Sequence, residues 1–312
     1  DAGSFGLSTE AQANAFVFKL YTDGTFAWAR SMEIDVDSGA GVRDSAADDA
    51  GNIIISGLFI GTIDADPGAG VFEMSTSSLL ELGGYIWKLN STGDFVWARQ
   101  WFWDEEFRIN RQITDSAGNT FLIGVFPGTL DFDFGDGVYE LTSPFDRDTY
   151  ILKLDSAGAF LWARQWGNNV GINDIAVDNG GNLFCLTNGS SSTDLDPGPG
   201  EFIPTIPGSA LYLLQLNSDG DFVDAKRMTQ GDRYFRGYAE RLAVDSMGNF
   251  YSIGKYYGTV DFDPGEGVFE MENRSLDYGR IFIQKLDSSA NFVWAKEFHA
   301  LFQSDVRHLM LD

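Results

Sequence analysis

The 312-residue chain carries 44% hydrophobic and 14% aromatic residues, enough to bury a sizeable core, and sets 21 Lys plus Arg against 46 Asp plus Glu for a formal charge of −25. Such a charge repels a phosphate backbone, which argues against nucleic acid and leaves cations and neutral polymers as better partners. No apolar run approaches the length of a membrane span and no signal peptide opens the chain, so membrane insertion is not expected, while secretion stays open. Cys185 is the only cysteine and there are two histidines. That excludes a disulfide framework and a zinc-type cluster, and Cys185, inside the run Leu183 to Leu186, reads as a small buried hydrophobe.

In chain order the sequence repeats itself. AFVFKL, GYIWKL, TYILKL, ALYLLQL and IFIQKL place Lys19, Lys88, Lys153, Gln215 and Lys285 at equivalent points, at spacings of 69, 65, 62 and 70 residues. Each is followed by an Asn/Asp/Ser/Gly turn (YTDG, NSTG, DSAG, NSDG, DSSA) and a second extended run (FAWAR, FVWAR, FLWAR, FVDAK, FVWAK), the pattern of a β-hairpin. A variable segment then leads to a short run ending in Asp48, Asp115, Asp178, Asp245 or Asp312. In four of the five, a Gly-Asn turn continues into a further apolar strand. Each period therefore predicts four strands: A into the Asp, B after Gly-Asn, C ending in Lys-Leu (Gln-Leu in one copy), and D, the Trp-Ala-Arg run.

Four antiparallel strands per period point to an all-β chain, a β-propeller of four-stranded blades. The expected repeats are 42–99, 109–164, 172–226 and 239–296, with a fifth split between 1–31 and 304–312, all in one domain over 1–312. Five blades is the preferred count and a fragment of a larger propeller the alternative. Trp28, Trp97, Trp162 and Trp294 recur once per repeat and are expected to pack between sheets. Asp224 interrupts that series, which predicts a locally weaker or specially contacted repeat.

With these strands in view, and most specifically AVDSMGN (243–249), YILKLDSAG (150–158) and FVWAR (95–99), the chain resembles the bacterial SBBP family of β-propeller repeats over its whole length. The resemblance implies a propeller in a secreted or surface-anchored bacterial protein, and it implies no catalytic residues. The departure is the B-to-C connection, where GTIDADPG (61–68), GTLDFDFG (128–135), STDLDPG (192–198) and GTVDFDPG (258–265) replace a Ser/Thr/Pro-rich stretch.

Three sets of residues are candidates for function. In the acidic connections, Asp64 and Asp66, Asp131 and Asp133, Asp194 and Asp196, and Asp261 and Asp263 point in pairs to one side of an extended chain and offer hard oxygen ligands to calcium. The competing role is an Asx-turn with the remaining charge solvated. Four residues before each strand-A Asp stand Asp44, Arg111, Asp174, Arg241 and His308, on the face of Ala46, Ala176 and Ala243. A channel-lining position would let this ring bind a small polar ligand, unless its members neutralise one another, the weightier alternative. In the variable D-to-A segments, Trp103, Phe107, Tyr234, Phe235 and Tyr238 could stack on sugars or pack within the loops, whereas Trp101 aligns with Trp166 and is expected to be structural.

The function expected is that of a non-catalytic binding or scaffold module, secreted or on the bacterial cell surface, recognising a glycan or a protein, with calcium as the candidate cofactor. One alternative is a glycoside-hydrolase-like enzyme with Asp44 and Asp174 as acid and base at the channel mouth. The other is a purely structural spacer.

Overall fold

The computed structural model describes residues 14–102, 107–144, 147–167, 170–205, 209–231, 238–263, 265–274, 279–298 and 309–311, without the side chains of 102, 209, 231 and 238. Among these residues there is no helix, and every strand pairing is antiparallel. Four four-stranded sheets hold the predicted repeats, each in the order A-B-C-D. The first joins Gly39–Ala47, Ile53–Ile60, Gly83–Leu89 and Phe95–Phe102. The second joins Arg108–Thr114, Thr120–Phe126, Asp148–Leu154 and Phe160–Trp166. The third joins Ile172–Val177, Leu183–Ser190, Ser209–Leu216 and Phe222–Arg227, and the fourth Tyr238–Val244, Phe250–Tyr256, Arg280–Leu286 and Phe292–Phe298. A two-stranded sheet, Phe16–Leu20 with Phe26–Ser31, precedes them. Leu309 to Leu311, part of the expected fifth strand A, lie in no strand.

The turns show why Asp, Gly and Asn recur. Each strand-A Asp accepts the backbone N–H of the Asn four residues on through Oδ1 and that Asn's side-chain amide through Oδ2: Asp48 with Asn52 (2.9 and 2.8 Å), Asp115 with Asn119 (2.9 and 2.7 Å), Asp178 with Asn182 (2.9 and 2.9 Å), and Asp245 with Asn249 (2.8 and 2.8 Å). The Gly before each Asn sits at positive φ, between 75° and 81°, where a β-carbon would be strained.

Trp and Arg of strand D carry the contact from one sheet to the next. Trp28, Trp97 and Trp162 donate their indole N–H to the carbonyls of Ser91, Ser156 and Ser218 in the following C–D turn. Arg30, Arg99 and Arg164 donate to Gly93, Gly158 and Gly220 beside them, with each guanidinium 5.4–5.8 Å from the adjacent indole centroid. Trp28, Trp97 and Trp162 are buried, as expected of residues packed between sheets, whereas Trp294 is half-buried, edge-on to Tyr251 of its own sheet. Cys185 is also fully buried, and burial followed by the nearby Asp174 charge pushes its thiol far above the ordinary range.

The molecule divides into two compact units, Asp1–Arg147 with Leu152–Leu161, and Asp148–Ile151 with Trp162–Asp312. In the first, a core of Ile55, Phe59, Ile63, Met74, Tyr85 and Trp87 lies beneath the first sheet's B-to-C connection. In the second, Leu211, Leu213, Met228, Leu242, Phe262 and Phe282 form the equivalent cluster.

Candidate functional site

Three of the acidic connections fold into small paired hairpins, and the one at Asp194 closes as a loop in which the Leu195 N–H donates to the Phe202 carbonyl. Thr62–Asp64 pairs with Glu73–Ser75, Thr129–Asp131 with Glu140–Thr142, and Gly258–Asp261 with Glu270–Asn273. In every copy the first Asp spends Oδ1 on two backbone N–H groups. Asp64 takes those of Asp66 (2.9 Å) and Phe72 (2.7 Å), and Asp131 those of Asp133 (3.0 Å) and Tyr139 (2.8 Å). Asp194 takes those of Asp196 (3.0 Å) and Phe202 (2.8 Å), and Asp261 those of Asp263 (3.0 Å) and Phe269 (2.8 Å). The second Asp of each pair accepts the N–H of Gly68, Gly135, Gly198 or Gly265 at 2.7–2.9 Å.

A second glycine, not singled out in the sequence, completes the motif. A β-carbon at Gly70, Gly137, Gly200 or Gly267 would lie 2.1–2.2 Å from the second Asp's Oδ2, so any larger residue would displace that carboxylate. Between the two aspartates, Ala65, Phe132, Leu195 and Phe262 are fully buried. The aromatic residue after the glycine packs on the first residue of strand D: Phe72 on Phe95, Tyr139 on Phe160, Phe202 on Phe222 and Phe269 on Phe292, at centroid distances of 4.8–5.3 Å. These carboxylates serve the backbone of their own hairpin, and the Asx-turn role accounts for the oxygens described. Among the described residues no group of three or more His, Cys, Asp or Glu side chains is arranged to hold a metal. The expected result of adding a chelator to metal-loaded protein is an unchanged melting temperature, and a clear fall would assign calcium to Asp64 and its equivalents.

Of the charged residues of strand A, Asp44 and Arg111 come together as a pair. A β-bulge falls just before each of them, between Val42 and Asp44, Ile109 and Arg111, Ile172 and Asp174, and Ala239 and Arg241. Asp44 reaches the following repeat, where its Oδ2 accepts the backbone N–H of Gln112 at 2.8 Å and lies 3.8 Å from the Arg111 guanidinium. Asp174, fully buried, makes the matching contact with the N–H of Leu242 at 2.8 Å. Both aspartates thus clamp one strand A to the next. His308 lies outside the described residues.

The bulge residues themselves were not legible as a set. Arg43 and Asn110 leave the ladder and line, with Leu58, Leu82, Arg108 and Ile109, a cleft of about 450 Å³ in the first unit. Two arginines and an asparagine thus share its lining with Leu58, Leu82 and Ile109. Bulges leave no mark in residue spacing, and only the ladder register exposes them.

Of the aromatic candidates, Phe107 does not offer its ring to a ligand: it is buried and packs edge-on against Trp101 at 5.4 Å. Trp101 also stacks on Phe134, the residue at the proline position of the second acidic hairpin, at 5.2 Å and 19°. Trp103, Tyr234 and Phe235, and the side chain of Tyr238, lie outside the described residues.

The fold and these sites define an all-β repeat protein of four-stranded antiparallel sheets, each with an aspartate-clamped connection between strands B and C in sequence. No protein-family model matches the chain, and no curated protein matches it. Among solved structures it is similar to the crystal structure of a protein of unknown function from Bacteroides caccae, with 10% identity, coverage of 88% of this chain and 87% of that one, and a TM-score of 0.38. A score of that size does not establish a shared fold.

Proposed function

We propose that the chain is an SBBP-type β-propeller of five blades that serves as a non-catalytic binding or scaffold module of a secreted or cell-surface bacterial protein. The observation that carries this reading is the use to which the carboxylates are put. Asp44 and Asp174, the pair a glycosidase would need as acid and base, each hold a backbone N–H of the adjacent repeat, and Asp44 also faces Arg111. Both carboxylates are thus engaged with the backbone of the next strand A, where a glycosidase would need them turned to a substrate.

The recognition surface proposed is the cleft lined by Arg43 and Asn110, whose guanidinium and amide donors beside Leu58 and Ile109 suit a glycan bearing hydroxyl or carboxylate groups. A glycan array tests it. Saturable binding to a defined glycan is expected, weakened about tenfold by Arg43→Ala, which removes a charge-assisted donor from an exposed position. Absence of signal on neutral and acidic glycans alike would favour the spacer role.

A further inference from the structure

The chain holds two Asn-Gly pairs, Asn179-Gly180 and Asn188-Gly189, and the fold treats them oppositely. An asparagine before glycine carries an electrophile, its side-chain carbonyl carbon, next to a nucleophile, the following backbone nitrogen. The two close a five-membered ring when they can meet, and glycine has no β-carbon to obstruct the approach. Asn188 and the buried Gly189 lie within Leu183–Ser190, paired with Leu211 and Ala210, so the sheet holds them extended and apart. Asn179 and Gly180 are exposed, at the two central positions of the third A-to-B turn.

That turn sets the reacting nitrogen against a carboxylate. Gly181 donates its N–H to the Asp178 carbonyl at 3.0 Å, and Asp178 Oδ1 accepts the backbone N–H of Gly180 at 2.8 Å and that of Asn182 at 2.9 Å. The attacking nitrogen therefore already shares its proton with an oxygen able to receive it. The other three A-to-B turns lack the pair, with Asp49-Ala50, Ser116-Ala117 and Ser246-Met247 at the same two positions. Of the four complete repeats, the third is also the one without lysine behind its turn. Lys88 sets its ammonium 3.3 Å from Asp48, and the Lys285 charge acts on Asp245, whereas Gln215 takes that place in the third repeat. A turn without this brace opens more readily than its counterparts.

We infer that Asn179 is a site of spontaneous deamidation that alters the backbone of the third A-to-B turn. The Gly180 nitrogen bonds to the side-chain carbonyl carbon of Asn179, the C–N bond of the side-chain amide breaks, and the Gly180 proton, passed through Asp178, leaves with ammonia. Solvent water then opens the cyclic imide at either carbonyl. One product is aspartate, the residue that Asp49 already places in the first repeat. The other is isoaspartate, whose main chain runs through the side-chain carbon. Isoaspartate lengthens the main chain between Asp178 and Asn182, the span their two hydrogen bonds close, and so loosens that clamp. This chemistry needs neither glycan nor cofactor and stands apart from the recognition proposed above.

The test incubates the full-length protein in warm, mildly alkaline buffer and follows it by peptide mapping, with fragmentation spectra that separate residue 179 from residue 188. A mass gain of about 1 Da at residue 179 is expected, with isoaspartate in the same peptide, while residue 188 keeps its mass. Gly180→Ala reproduces the residue of the Ala50 and Ala117 turns, and should slow the gain about tenfold or more, because a β-carbon then crowds the attacking nitrogen. Asn179→Ser, the residue of the second and fourth turns, should abolish it. No gain at residue 179 over weeks, an equal gain at residue 188, a gain without isoaspartate, or an unchanged rate in Gly180→Ala would each overturn the inference.

Discussion

Asp224→Trp alone should lower stability by about 1–3 kcal/mol, whereas the same substitution combined with Ala290→Gly should raise it above the parent. Trp28, Trp97 and Trp162 lie over the glycines of the next C–D turn so closely that a β-carbon at Gly93, Gly158 or Gly220 would stand 2.7–2.9 Å from the ring. Where Asp224 takes the tryptophan position, the turn glycine is replaced by Ala290, held at a φ of 58°. A cavity of about 40 Å³, lined by Phe184, Asp224, Lys226 and Ala290 among others, remains there, and Lys226 compensates by donating to the Ser289 carbonyl at 2.6 Å. A tryptophan added alone would meet the Ala290 methyl group. With glycine beneath it, the ring can bury its face and reach the turn as its counterparts do, a gain of about 1.5–3 kcal/mol. Urea denaturation of the two single variants and the double variant measures the coupling, and additive effects would refute the account.

The second large effect belongs to Lys88. Its ammonium lies 3.3 Å from Asp48 Oδ2, with both side chains less than 5% exposed, and donates to the Ser156 carbonyl at 3.2 Å. Lys88→Met leaves the Asp48 carboxylate buried without its counter-charge and should cost about 3–5 kcal/mol. Burial pushes the Asp48 carboxyl up, but the Asn52 side-chain and backbone donors and the Lys88 ammonium outweigh it and hold it below the ordinary carboxylate range. A depressed folded-state pKa adds stability that is present above the unfolded value, near pH 4, and is lost as pH falls through the folded value. Removing Lys88 withdraws part of that depression. The acid limb of the stability curve should therefore move to higher pH in the variant, and urea midpoints measured between about pH 2 and pH 6 would show it. Parallel curves for the two proteins would contradict this role. Adding Asp48→Asn to Lys88→Met should recover part of the loss, because the stranded charge is then gone.

The strand order and the turn chemistry were legible because they rest on local rules. Asp48, Gly51 and Asn52 mark the same turn in every copy, since an Asp that clamps an Asn and a Gly at positive φ are requirements of the backbone itself. The pairs from Asp64–Asp66 to Asp261–Asp263 were legible as a repeated unit, but spacing alone left their oxygens open to metal or turn. Their commitment to backbone donors depends on Phe72 and its equivalents returning to face them eight residues later. The close approach of Gly70 and its equivalents to the second aspartate follows from that same closure. Phe107 shows the same limit: its segment left the ring open to sugar stacking or loop packing, and the contact with Trp101 decides for packing.

Residue order by itself therefore determined the all-β class, the four strands of each repeat and the turns between them, because alternation and turn preference are properties of a few neighbouring residues. Which side of each strand is covered, where the bulges send Arg43 and Asn110, and how Asp44 and Asp174 bind the next strand A were decided only in the tertiary structure. Those outcomes depend on residues a whole repeat apart, such as Asp44 with Gln112. No local pattern carries that information.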